Sequence, residues 1–255
     1  MEMRESIIRN YSEIAGKHAP SCGCCETDGL KEAATKQRAV SPAKNGTAPR
    51  TRLHGPHRDA PLELNLGCGA PLDHAGIGPG MTVLDLGSGS GREIFLAARL
   101  VGPAGKVLGL DMTPAMVDLA RRNAAALDVG NAEFLLGEIE RMPLPDGSVD
   151  RVISNCVINL TPDKRKAFSE IYRVLVPGGM FAIADITAST ELPDEVRNDP
   201  SLWCRCVGGA LRTEEYLDAI RASGFRDVTV VSVREDTTCG REDFGLRSIT
   251  LTGRK

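Results

Sequence analysis

Thr82-Val83-Leu84-Asp85-Leu86-Gly87-Ser88-Gly89-Ser90-Gly91-Arg92 decides how this chain folds. A short apolar run stops at a glycine cluster, and a helical pattern follows over 92–101. That order reads as strand, tight turn and helix, the opening unit of a parallel sheet with crossover helices. Glycines let the backbone turn sharply and approach a ligand with no Cβ in the way. The dinucleotide form G-x-G-x-x-G/A wants a small residue at its last position, where helix packs on strand. Arg92 stands there instead, and the third glycine, Gly91, comes one residue early.

Outward from this loop the alternation continues. Strands are predicted at 82–87, 106–112, 132–138, 149–155 and 180–186, with helices near 92–101, 114–127 and 163–175. The third helix stops at Val176-Pro177-Gly178-Gly179, a sequence that ends helices. A helix at 213–223 leads to strands at 228–235 and 247–254, joined by a turn-rich link with no helical pattern. Such a link suits an antiparallel pair at the sheet edge. The expected fold is α/β and Rossmann-like: seven strands, mostly parallel, the last antiparallel. Residues 187–212 form a cysteine-bearing insertion after the fifth strand, at the end of the sheet where open α/β folds bind ligands.

Residues 1–60 read as a separate N-terminal segment on a domain of 61–255. Met3 to Ala15 has the spacing of an amphipathic helix, with Ile7, Ile8, Tyr11 and Ile14 on one side. Ser21-Cys22-Gly23-Cys24-Cys25 follows, then a Lys/Arg/Pro/Gly-rich stretch to about Pro61 that reads as a solvated, weakly ordered tether.

The 255 residues carry 31 basic and 34 acidic side chains, net −3. That balance argues against a nucleic-acid partner, which needs a basic surface. No apolar run is long enough to cross a membrane and no secretory leader is evident, so the cytoplasm is expected. Eight cysteines in a reducing compartment are not a disulfide scaffold. The four histidines all lie before residue 75, which removes the commonest proton shuttle from every strand end.

Asp85-x-Gly87-x-Gly89-x-Gly91 resembles motif I of class I S-adenosyl-L-methionine-dependent methyltransferases. Asp111 ends the second strand, 24 residues beyond Gly87, where a carboxylate can accept both ribose hydroxyls. Met112 can pack on an adenine through its thioether. Glu138 and Ile139 end the third strand within reach of the adenine, and Asn155 ends the fourth, facing the methyl group.

Methylation of oxygen or nitrogen usually requires a positioned base. The strand ends here carry thiols instead: Cys156, and Cys204 and Cys206 in the insertion. Through residues 64–71, 83–116, 137–164 and 206–211 the chain resembles arsenite S-adenosylmethionine methyltransferases. Asn155-Cys156-Val157-Ile158-Asn159-Leu160 is the most telling piece. The resemblance implies that Cys156 and Cys206 hold trivalent arsenic, inorganic or organic, and that a thiol reductant, glutathione or thioredoxin, resets the enzyme; a monomer is expected. The family's N-terminal tyrosine pair is missing, only Tyr11 being found, and the third thiol is open among Cys22, Cys24, Cys25 and Cys68. Cys204 is an extra thiol, and Cys239 reads as a bystander. Three alternatives compete: structural zinc, for which C-x-C-C and C-x-C lack the usual spacing; a methyltransferase of a small organic molecule such as a quinone; and a non-enzymatic metalloid-binding protein.

Overall fold

The computed structural model describes residues 2–17, 67–235 and 244–255. In chain order the elements are α1 (Glu2–Lys17), β1 (Thr82–Leu86), α2 (Arg92–Val101), β2 (Lys106–Asp111), α3 (Pro114–Ala126), β3 (Ala132–Leu136), β4 (Val149–Asn155), α4 (Lys164–Val174), β5 (Leu175–Thr187), α5 (Asp194–Arg197), α6 (Pro200–Cys204), α7 (Thr213–Ala222), β6 (Arg226–Glu235) and β7 (Arg247–Arg254). They form one seven-stranded sheet in the order β3-β2-β1-β4-β5-β7-β6. β1 to β5 pair in parallel, and β7 runs antiparallel between β5 and β6.

The central strands are apolar on both faces because helices cover both. On one side Phe168, Ile171 and Val174 of α4 and Tyr216, Leu217 and Ile220 of α7 pack on Leu84, Val152 and Ile183. Phe168 and Tyr216 meet edge to face, their ring centroids 5.4 Å apart. On the other side Ile94 and Phe95 of α2 and Val117 and Ala120 of α3 close over Val83, Val107 and Ile153. A third cluster caps the carboxyl ends of the strands: Ile7 of α1 packs with Leu160, Ile186, Leu202 and Val207, and Cys156 and Cys206 are part of it.

β5 begins five residues earlier than the sequence predicts. Leu175 already pairs with Val149; the pairing then shifts, and Met180 faces Arg151. Pro177-Gly178-Gly179, read as a helix stop, is an irregular stretch within the strand. Leu175 still closes α4 through its N–H to the Ile171 carbonyl while it pairs in register with Val149 of β4, a tertiary choice that local sequence cannot show. β3 ends at Leu136 and leaves Glu138 in the loop beyond it. The predicted N-terminal helix is present and packs on α3 and α6. Cys22, Cys24, Cys25 and Cys239 lie outside the described residues.

Candidate active site

Two adjoining cavities open at the carboxyl ends of the strands, near the point between β1 and β4 where strand order reverses. The first, of about 150 Å³, is floored by the glycine loop. Gly87 and Ser88 donate their backbone N–H groups to the Leu110 carbonyl at 2.7 and 3.0 Å. Gly91 caps α2 in the left-handed region (φ 93°), and a Cβ there would strike Phe95. Asp111 ties the loop to β2: one carboxylate oxygen accepts from Gly89 N at 3.0 Å, the other from Thr113 N at 2.9 Å. Its remaining lone pairs can accept from a ligand. Met112 and Ile139 also line this cavity.

Three carboxyls crowd its base. Burial pushes Asp85 well above the ordinary carboxylate range, and the neighbouring charges of Glu93 and Asp111 push it further. Glu93 and Asp111 are also raised, chiefly by burial. A cation bound among them would relieve this strain, so the donor set fits S-adenosylmethionine, which carries a sulfonium and an ammonium. Glu138 stands at the rim, half exposed, ion-paired with Arg4 of α1.

The second cavity, of about 490 Å³, is lined by the sulfur-bearing residues Cys68, Cys156, Cys204 and Cys206. Tyr11, Gly67 and Cys156 line both cavities and so form the partition between them. Cys68 and Cys156 are joined as a disulfide across 88 residues of chain, with Cα atoms 5.8 Å apart. The Cys206 thiol donates to the Cys156 carbonyl at 2.7 Å. Cys204 turns its sulfur toward the Ser6 carbonyl of α1, 4.0 Å away, and burial pushes its thiol up. Among the described residues no three His, Cys, Asp or Glu side chains are grouped as a metal-ion site.

Asn155 was expected to face the methyl group. It lines the first cavity, and its amide holds the segment before the sheet: Oδ1 accepts from Cys68 N and Gly69 N at 2.9 and 3.1 Å, and Nδ2 donates to the Gly69 carbonyl at 3.0 Å. Ser248 of β7 holds the same segment, donating to the Cys68 carbonyl at 2.7 Å. The sequence carries no signal for that clamp, since its parts come from three distant stretches.

Four described non-glycine residues have positive φ: Asp128, Asp227, Cys156 and Cys206. Aspartate tolerates the left-handed region through local hydrogen bonding. Cysteine has no such excuse, and strained backbone of this kind collects at functional sites. Cys156 (φ 60°) is held by its N–H to Ala184 O at 2.8 Å, and Cys206 (φ 61°) by its N–H to Trp203 O at 2.9 Å.

Beneath the thiols lie two buried ionisable side chains, Asp185 and Lys164. Asp185 accepts from Asn159 N and Ile186 N at 3.0 Å each and from the Tyr216 hydroxyl at 3.1 Å. Burial outweighs these donors and pushes its carboxyl up from 3.8 to about 7. Lys164, over the Trp203 ring at 5.5 Å, is pushed down by burial to about 8. Between about pH 4 and pH 7 the native state therefore keeps a proton at Asp185 that the unfolded chain has released. The stability tied to that proton is lost as pH rises through 7. The stability advantage of the unaltered protein over Asp185→Asn is expected to shrink between pH 5 and pH 7.5, as read from denaturant titrations.

A family described as a methyltransferase domain matches residues 77–224. The chain belongs to that methyltransferase-domain family. Among this methyltransferase's relatives, an arsenite methyltransferase of Halobacterium salinarum is 40% identical over 247 residues, covering 92% of this chain and 60% of the relative. The human arsenite methyltransferase is 36% identical over 203 residues, 76% of this chain and 53% of the relative. The crystal structure of an arsenic(III) S-adenosylmethionine methyltransferase from Chlamydomonas reinhardtii is 44% identical, with a TM-score of 0.65 over 74% of this chain and 66% of that one. The methyltransferase thus spans about half to three-fifths of these two curated relatives. None of its described helices is long and apolar enough to cross a membrane.

Proposed function

We propose that this methyltransferase transfers the methyl group of S-adenosyl-L-methionine to trivalent arsenic held by Cys156 and Cys206, with Cys68 as the third thiol. The observation that carries the reading is that Cys156 lines both cavities, with Cys68 bonded to it and the Cys206 thiol at its carbonyl. The likeness to the arsenite methyltransferases supports it. When bound, S-adenosylmethionine supplies an electrophilic methyl on a cationic sulfur, and Asp111, with Asp85 and the glycine loop, holds it on the near side of Cys156.

Arsenic(III) is soft, and three thiolates bind it in a pyramid whose open side carries a lone pair. Thiolates are the required ligand form, and a neighbouring positive charge favours them. With the lone pair aimed at the methyl carbon, an arsenic–carbon bond forms as the sulfonium–carbon bond breaks. The chain contributes positioning and has no proton to move at that step. Arsenic gives up two electrons in forming the bond. Cys68 and Cys156 return them by joining as a disulfide, and the methylated arsenic regains its trivalent state. Glutathione or thioredoxin then reopens the disulfide by thiol exchange. Residues 1–60 are read as an N-terminal segment on the 61–255 domain, with 187–212 the substrate-side insertion, in a cytoplasmic monomer.

The test is direct: reduced enzyme, methyl-labelled cofactor, arsenite and glutathione are incubated and the arsenic species separated by chromatography. Label in methylated arsenicals is expected. Label transferred only to a quinone or other organic acceptor, or arsenite binding without transfer, would overturn the reading.

A further inference from the structure

Asn159 sits three residues after Cys156, in the short 3-10 turn Ile158–Leu160, and its side chain is fully buried. Its Nδ2 donates twice, to the Ile186 carbonyl at 2.6 Å and to the Cys206 carbonyl at 3.1 Å. Both partners are carbonyls, which only accept, so the amide can be turned one way only. The amide oxygen, Oδ1, is buried with no partner among the described residues. The backbone of the same residue is also committed. Its N–H goes to Asp185, and its carbonyl packs so closely on Gly209 that any Cβ there would overlap it. One residue thus fastens the turn after Cys156 to the end of β5 and to the loop after Cys206.

We propose that Asn159 is a positioning residue for the thiol pair: by gripping the Cys206 carbonyl it keeps Cys206 in its left-handed conformation, sulfur toward Cys156, so that both thiols can take one arsenic atom. This rests on the thiol reading above. The unpartnered Oδ1 argues for it. An apolar side chain of the same size would carry no unsatisfied oxygen of its own, a cost of the kind proteins avoid, but would take the Nδ2 donors from the Ile186 and Cys206 carbonyls. Retaining an amide makes physical sense if its two donors are needed at the Ile186 and Cys206 carbonyls. With the grip gone, Cys206 can relax to an ordinary φ, which swings its side chain away from Cys156.

The probe is phenylarsonous acid, whose trivalent arsenic has two exchangeable positions and is gripped tightly only by two thiols at once. Protein reduced with a phosphine is titrated while following Trp203, the single tryptophan, three residues from Cys206. Asn159→Leu, close in size and without donors, is expected to bind the probe about tenfold more weakly, the equivalent of one lost hydrogen-bond network. Its calorimetric affinity for S-adenosylmethionine should stay within about twofold, and alkylation of Cys206 by iodoacetamide should be undiminished. That split between two-thiol capture and one-thiol reactivity is not produced by simple loss of stability. Asn159→Asp, which keeps the shape but replaces the donors, serves if the leucine variant does not fold. Wild-type probe affinity in either folded variant would overturn the proposal. Should the unaltered protein bind the probe no better than Cys206→Ser, the thiol-pair reading itself fails, whatever Asn159 does.

Discussion

Cys156→Ser is expected to lose methyl transfer to arsenite by on the order of a thousandfold, about 4 kcal/mol and so roughly half of the ~7–11 kcal/mol that fixed geometry can supply to a reaction. A serine hydroxyl fits the same left-handed backbone position but stays protonated at neutral pH and is a hard, weak ligand for arsenic. The same change removes the partner of Cys68, so the two electrons needed after transfer have no donor pair. Single-turnover assays with labelled cofactor separate the two losses: a first methyl transferred but not released as trivalent product points to the redox step, and no transfer points to arsenic capture. A variant that keeps more than a tenth of the rate would mean that this sulfur is not a ligand. An organic acceptor such as a quinone would not notice the substitution.

Asp111→Ala is expected to weaken S-adenosylmethionine binding by about 30- to 100-fold, the ~2–3 kcal/mol of charge-assisted hydrogen bonds to a ribose. Part of the loss comes from the loop. Gly89 N–H donates to Asp111 at 3.0 Å, and with the carboxylate gone the glycine turn keeps only its two bonds to the Leu110 carbonyl of β2. Capture of phenylarsonous acid should be unaffected, because the Asp111 carboxylate oxygens are engaged by Gly89 N and Thr113 N, on the cofactor side of the site. Calorimetry with unchanged cofactor affinity would remove Asp111 from the site.

These two substitutions also separate what is local from what is not. The glycine loop, the strand before it and the acid at the end of the next strand were legible because turn chemistry and apolar period are properties of ten or so consecutive residues. Cys156 and Cys206 were singled out for a weaker reason, their resemblance to a family, and the structure places both at the second cavity. Cys68 was left as one of four choices, and Asn155 was assigned to the methyl group. The tertiary structure adds what neither reading held: the Asn155 amide clamps 68 and 69, and that clamp sets Cys68 beside Cys156. Glu138, expected near the adenine, lines the first cavity and is ion-paired there with Arg4 from the N-terminal helix. No pattern in either segment announces the other.

Composition, period and glycine placement were therefore enough for a seven-stranded α/β sheet with its ligand site at the carboxyl ends. Each is enforced by burial and backbone sterics acting over a few residues. Which sulfur meets which was decided only when the chain closed: Cys68 lies 88 residues from Cys156, and Cys206 lies 50 from it. Their meeting depends on the register of β4 against β5, on one asparagine amide at each end of the Cys156 turn, and on a serine from the last strand. Contacts over such separations are selected by the packing of the whole domain, and pairwise spacing along the chain holds no record of them.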